Sequence, residues 1–131
     1  MNTKMEKIFA EISAGELVDK ITILEIKKAK ISNEKKLEDV NKELDSLKQT
    51  FKKFIPNDSG IKNHMDQLKD INSKLWDIED GKRELEKKQD FSEKFVQLSR
   101  NVYKFNDQRA KIKLEINKTL GSNIKEVKSY K

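Results

Sequence analysis

Apolar residues recur along most of this chain three or four positions apart, which is the spacing of one face of an α-helix. The clearest run alternates steps of three and four, as in a coiled coil, and consists of Leu37, Val40, Leu44, Leu47, Phe51 and Phe54. The strongest interruption runs from Pro56 to Gly60. The pattern therefore predicts four helices, at residues 14–31, 34–54, 61–88 and 91–120.

Three local signals mark the predicted helix ends. Ser13 and Glu16 have the spacing of a capping box, in which the Ser13 hydroxyl accepts a hydrogen bond from the amide of Glu16 and the Glu16 carboxylate accepts one from the amide of Ser13. Asp90 and Glu93 have the same spacing and predict a second capping box. Gly121 follows the last periodic residue, where a left-handed residue commonly ends a helix.

The two ends of the chain lie outside the periodic pattern. Residues 1–13 form a lead-in that could be extended or a helical turn. The alternation of Ile8, Ala10 and Ile12 with other residues favours the extended form. Residues 121–131 form a short polar tail whose apolar residues are available to dock on the helices: Ile124, Val127 and Tyr130.

The four helices predict a single all-α domain over residues 1–131. Short turns favour antiparallel neighbours, so we expect an up-and-down bundle made of two long helical hairpins with coiled-coil-like packing. The fourth helix would be about 45 Å long at a rise of about 1.5 Å per residue, and the first helix is much shorter. Because the long helices then have ends that the first helix leaves uncovered, we predict a homodimer.

Composition narrows the class of protein. Charged residues make up 40% of the chain and hydrophobic residues 34%, which suits long helices with a narrow apolar stripe. Cysteine is absent, which excludes disulfides and thiolate metal sites and favours a reducing, cytoplasmic compartment. No apolar run approaches the roughly 18 residues of a spanning helix, so we expect no membrane insertion.

The net charge of +6 raises the question of nucleic-acid binding. The 29 basic residues of the chain are nearly all lysine, and the arginines are Arg83, Arg100 and Arg109. Arginine is the better residue for bidentate recognition of phosphate and guanine. Acidic residues are interleaved throughout, so the sequence argues against nucleic acid as the partner.

A family resemblance is carried by three stretches, GELVDKITILEIKKAKI, KLWDIEDGKRE and NVYKFNDQRAKIKLEIN followed by GSNIKEVKSY. They resemble a family of small uncharacterised proteins from bacteria and their phages that is classed as a domain of unknown function. The resemblance covers nearly the whole chain. It implies a small intracellular domain, and it brings no established activity to this sequence.

The sequence gives little support for a nucleophilic active site or a zinc site. His64 is the only histidine, and no Gly-x-Ser-x-Gly turn or His-Glu-x-x-His pair accompanies it. We therefore predict a solvated surface histidine. Glycine-rich phosphate loops are also absent, and no cofactor is predicted from these motifs.

Paired carboxylates support an alternative, enzymatic interpretation. Glu16 and Asp19 share one helical face, and Asp77 and Asp80 share another, so each pair could chelate Mg²⁺. GELVD followed later by LWDIED is similar to the pattern of MazG-like all-α nucleoside triphosphate pyrophosphatases, which bind Mg²⁺ through Glu-x-x-Glu and Glu-x-x-Asp pairs. The second pair here is Asp/Asp, and the helix register keeps the two pairs apart within one chain.

Arg109 lies in the apolar seam of the fourth helix, between Phe105 and Ile112. One hypothesis is a buried ion pair with Glu25 or Asp19 that sets helix register. A second is an anion-binding site between helices, for which the candidate residues are Arg109, Asp107, Asn106, Lys20, Lys27, Asp19 and Glu25. A third is that the fourth helix bends and leaves Arg109 exposed.

The function predicted from these features is a non-catalytic binding or assembly module that engages a protein partner or a small anionic ligand. The Mg²⁺-dependent nucleotide pyrophosphohydrolase is the alternative.

Overall fold

A computed structural model describes residues 4–129, and these contain four α-helices and no strand. The helices are α1 (Ala14–Lys30), α2 (Glu34–Phe54), α3 (Lys62–Lys87) and α4 (Glu93–Leu120). The all-α class predicted from periodicity is confirmed for this part of the chain. The docking predicted for Tyr130 lies outside the described residues.

The shortest helix, α1, lies at the centre of the packing. It contacts each of the other three helices, whereas α2 contacts α1 alone. The α3 and α4 helices run antiparallel, because the Lys74 ammonium lies 5.5 Å from the centre of the Phe105 ring and Gly81, further along α3, lies beside the earlier residue Leu98. These contacts are compatible with an antiparallel up-and-down bundle.

The core follows from the position of α1. A central helix must bury side chains on several faces, and the α1 sequence supplies apolar residues on more than one face. The buried cluster consists of Leu17, Val18, Ile21, Leu24, Val40, Leu44, Ile55, Ile61, Leu68 and Ile116. It joins all four helices and the loop between α2 and α3.

The start of α1 and the end of α4 meet near Ser13, and their helix caps match the predicted ones in part. The Ser13 hydroxyl accepts a hydrogen bond from the amide of Glu16 at 3.0 Å, as predicted. The Glu16 carboxylate does not complete the box but accepts a hydrogen bond from Lys113 of α4 at 2.6 Å. Gly121 ends α4 with φ of 62°, and the amide of Ser122 donates to Asn117 at 2.8 Å.

The second capping box is wrong. The α4 helix begins at Glu93, its N-cap is Ser92, and the Asp90 carboxylate accepts a hydrogen bond from the amide of Ser92 at 3.0 Å. Gln89, with φ of 56°, has already turned the chain out of α3. Asp90 therefore closes a tight turn before the helix instead of capping its first turn.

Candidate functional site

The central polar feature is an ion pair between Asp19 of α1 and Arg109 of α4. The Arg109 Nε donates to Asp19 Oδ1 at 2.9 Å, and Nη2 donates to Oδ2 at 2.5 Å. The Asp19 side chain is completely buried, and that of Arg109 is 28% exposed. Of the two carboxylates considered from the sequence, Asp19 is the partner of the seam arginine, and Glu25 is not.

Further hydrogen bonds join the pair to α3. Asn72 Nδ2 donates to Asp19 Oδ1 and to Thr22 Oγ1, each at 2.9 Å. The Thr22 hydroxyl in turn donates to the backbone carbonyl of Asp19 at 2.7 Å. The remaining Arg109 nitrogen, Nη1, donates to Asn106 at 3.3 Å. One buried carboxylate therefore connects three helices, and its two oxygens accept three hydrogen bonds.

Lys113, one turn beyond Arg109 on α4, is surrounded by carboxylates. Its Nζ lies 2.6 Å from Glu16, 3.2 Å from Glu126 of the tail and 3.8 Å from the buried Asp19. The Lys113 side chain is mostly buried, whereas that of Glu126 is half exposed. This lysine holds the start of α1, the end of α4 and the tail at one end of the molecule.

Local electrostatics keep these groups charged. The hydrogen bond from Arg109 to Asp19 raises the pKa of the guanidinium, although burial opposes the shift. Burial alone would lower the pKa of Lys113, but the hydrogen bond to Glu16 and the negative charge around it outweigh burial and raise the pKa. Burial would raise the pKa of the Glu126 carboxyl, but the Lys113 charge together with the hydrogen bonds from Lys113 and Ser13 outweighs burial and lowers the pKa.

The first turn of α1 lies directly against the end of α4. The amide of Gly15 donates to Asn117 Oδ1 at 2.6 Å, and the amide of Ala14 donates to the Ser122 hydroxyl at 3.0 Å. The free amides at the start of a helix need hydrogen-bond acceptors. Here Asn117 of α4 and Ser122, just after α4, supply two such acceptors. This contact positions Asp19, one turn later, opposite the arginine.

Replacing Ser13 with alanine should lower the free energy of unfolding by about 1–2 kcal/mol, because the cap of α1 is lost. Ser13 also donates to Glu126 at 3.2 Å, so the tail loses a contact in the same variant. Thermal or urea denaturation measures the effect. The matched control is Ser46→Ala on the exposed surface of α2, which should change stability by a few tenths of a kcal/mol at most. Equal stability of the two variants would contradict the capping role.

The structure brings together only part of the predicted anion site. Arg109, Asn106 and Asp19 are in contact, but all three guanidinium nitrogens of the arginine donate to these two neighbours. Lys20 lies 3.8 Å from Glu16 on the surface of α1. Glu25 pairs with a lysine of α3 at 3.2 Å, and Asp107 pairs with a lysine of the tail at 3.4 Å. An incoming anion would have to displace carboxylates that already occupy the cations.

The four carboxylates of the Mg²⁺ hypothesis are not gathered in the structure. Glu16 and Asp19 already bind cations of α4, while Asp77 and Asp80 are exposed on α3. Among residues 4–129, no group of three or more histidine, cysteine, aspartate or glutamate side chains could hold a metal ion.

Two shallow grooves flank the Arg109 side chain. One has a volume of about 460 Å³ and lies between α4 and the tail, with Lys111, Leu114 and Val127 in its wall. The other, of about 310 Å³, lies between α1 and α3 over Ile23, Ile26 and Trp76. The first groove is lined by four basic side chains and one carboxylate, and the second by two of each.

His64 is not the freely solvated residue predicted. It is half-buried at the start of α3, and its Nδ1 is buried without a hydrogen-bond partner among the described residues. The sequence interpretation also missed Asn72, Lys113 and Asn117. The signal for all three was a polar residue at a helical seam position, a signal that was used for Arg109 alone.

An exposed apolar surface lies at the same end of the molecule as Ser13. The lead-in contains no helix and no strand, and its large apolar side chains are open to solvent: Met5 is 75% exposed, Ile8 79% and Phe9 87%. Val127 of the tail is also exposed, and the tail is held near the lead-in by a 2.7 Å hydrogen bond from Asn123 to Glu11. The tail is thus anchored by polar contacts, and the docking predicted for Val127 is wrong. We call residues 5–12 the N-terminal apolar segment.

These observations define a small all-α protein built around a buried arginine–aspartate pair, with an apolar segment exposed at one end. The chain belongs to the family of unknown function DUF6165, whose family profile matches residues 8–131. No curated protein and no solved structure matches the chain. No helix within the described residues has the length and apolarity needed to cross a membrane.

Proposed function

We propose that this protein is a non-catalytic binding and assembly module that engages a protein partner through its N-terminal apolar segment. The observation that carries the proposal is the exposure of Ile8 and Phe9, on a segment that the helices leave uncovered. Contiguous exposed apolar side chains rimmed by charge are typical of protein interaction sites. Here the rim consists of Lys4, Glu6, Lys7 and Glu11.

The fixed attachment of the segment to the start of α1 favours the same function. Ser13 directly follows the segment and is itself buried, because it caps α1 and contacts the tail. A binding segment that starts from a fixed point loses less conformational freedom on association than a free peptide does. The dimeric state and the cytoplasmic location predicted from the sequence belong to this proposal.

A protein partner is favoured over a small anionic ligand. The guanidinium of Arg109 and the ammonium of Lys113 are already paired with carboxylates, and a small anion would have to replace those contacts. The apolar segment has no such competing contacts, since its large side chains face solvent. The buried pair then serves to hold the platform that presents the segment.

The double variant Ile8→Ser/Phe9→Ser should lose at least about tenfold in the capture of bound protein, since the two most prominent apolar contacts are removed. The measurement is quantitative mass spectrometry after affinity capture, with a second, differently tagged copy of the chain present so that self-capture is scored as well.

The matched control for this experiment is Phe54→Ser/Tyr103→Ser, which removes two aromatic side chains that are 68% and 55% exposed on α2 and α4. Circular dichroism establishes that all chains are folded. The control should capture the same proteins as the native chain. Retention of every captured protein by the double variant in the segment would contradict the proposal.

A further inference from the structure

The backbone of the N-terminal apolar segment is as unpartnered as its large apolar side chains. No hydrogen bond among the described residues uses an amide or carbonyl group of residues 4–12. Water satisfies these groups in an isolated chain. A row of unpaired amides and carbonyls beside apolar side chains is also a template on which another strand can pair.

The residue order of the segment specifies which strand fits best. In an antiparallel pairing that places Phe9 opposite its own copy, Lys7 of each chain lies opposite Glu11 of the other. Opposite charges at directly facing positions stabilise antiparallel strands, and like charges destabilise them. A shift of one residue in either direction would separate Lys7 from Glu11, and in one direction it would place Glu6 opposite Glu11. The charges therefore complement a second copy in the register centred on Phe9.

Over residues 7–11, the other face of such a ribbon would be apolar. Ile8, Ala10 and Ile12 alternate with the Lys7, Phe9 and Glu11 positions, so they all lie on the opposite face. Two copies would then share one apolar strip of four side chains, Ile8 and Ala10 of each, with each Ile12 opposite Glu6 of the other copy. The contact of Glu11 with Asn123 uses Oε2, and it leaves Oε1 for the lysine of a second copy.

From this complementarity we propose that the occupant of the N-terminal apolar segment is a second copy of this chain, paired antiparallel through residues 7–11. The inference rests on the function proposed above and names its partner. The homodimer is then held at one end of each molecule, beside the first turn of α1, and the long helices stay free.

Sedimentation velocity on the native chain and two charge variants tests the register. Lys7→Glu turns both predicted attractive pairs into repulsive ones and should raise the dimer dissociation constant roughly tenfold. Lys7→Glu/Glu11→Lys restores opposite charges with the sign reversed, so it should return the constant to within about threefold of the native value. A native chain that sediments as a monomer throughout, or a double variant as weak as Lys7→Glu, would overturn the inference.

Disulfide trapping provides an independent geometric test, because the chain contains no cysteine of its own. In the proposed register the two copies of residue 9 face each other with Cα atoms about 4.5–5.5 Å apart, within disulfide range. Phe9→Cys should therefore form covalent dimers under mild oxidation. Ala10→Cys is the matched control, since its copies lie diagonally about 7–8 Å apart and should cross-link slowly. Equal rates for the two variants would contradict the pairing.

The two proposals fail in different ways. If the native chain is monomeric and Phe9→Cys does not cross-link, while Ile8→Ser/Phe9→Ser still loses a heterologous protein, then the second copy is excluded and the binding function stands. If that double variant loses neither self-capture nor any other protein, then both are overturned.

Discussion

Arg109→Met should lower the free energy of unfolding by about 3–5 kcal/mol, which is the usual cost of breaking a buried ion pair from one side. For a chain of this length the melting temperature would then fall by about 10–20 °C. The reason lies in Asp19, which has no exposed surface and would keep only the Asn72 hydrogen bond and the more distant Lys113 charge at 3.8 Å. Methionine fills similar volume without donating a hydrogen bond, so the loss measures the unpaired carboxylate.

Arg100→Met on the same helix is the matched control. Arg100 is exposed and lies outside the network, so its loss should change stability by no more than about 0.5 kcal/mol. Thermal melts and urea titrations of the two variants beside the native chain make the comparison. An Arg109→Met variant that melts with the control would contradict the structural role and would direct attention to an anion in the neighbouring groove.

The double variant Asp19→Leu/Arg109→Met separates the pair itself from the cost of an unpaired charge. Apolar replacement of both partners in a buried pair is often neutral or stabilising. The double variant should therefore recover most of the stability lost in Arg109→Met, and the coupling follows from a double-mutant cycle. A double variant as unstable as the sum of two single variants would show that the two side chains act independently.

Periodicity predicted the helices because helix formation depends on spacing that one sequence displays directly. The run from Leu37 to Phe54 became α2, and the glycine signal at Gly121 ended α4. Local capping signals gave a wrong prediction where one residue can take either of two structural roles. Asp90 can cap a helix or close a turn, and only the left-handed residue Gln89 before it decides between them.

The candidate site was predictable only in part. An arginine in an apolar seam indicates a buried partner, and Asp19 was one of two carboxylates considered. In the structure Asn72 approaches from α3 and donates a second hydrogen bond to the same Asp19 oxygen as Arg109, whereas Glu25 pairs with Lys69. Such three-helix contacts depend on the relative rotation of the helices, which no single periodic run contains.

The close approach of α1 and α4 also depends on how the helices are placed relative to one another. The substitution Gly15→Ala tests this close approach. The expected loss in the free energy of unfolding is at least about 3 kcal/mol, above the usual range for one added methyl group. A Cβ atom at Gly15 would lie 2.5 Å from the carbonyl oxygen of Lys113 and 3.0 Å from Asn117 Oδ1. The first of these is backbone and has no alternative rotamer, so the helices themselves must separate.

Separation of α1 from α4 would also weaken the polar network, because the amide of Gly15 donates to Asn117 at 2.6 Å and Asp19 lies one turn further along the same helix. Gly81→Ala is the matched control, the same change within α3. The nearest atom there is 3.2 Å away at the end of the Leu98 side chain, which can move. Alanine also favours helix over glycine by about 1 kcal/mol, so this variant should be near neutral or stabilised. If both variants unfold at the same urea concentration, then glycine at position 15 is not required for the contact between α1 and α4.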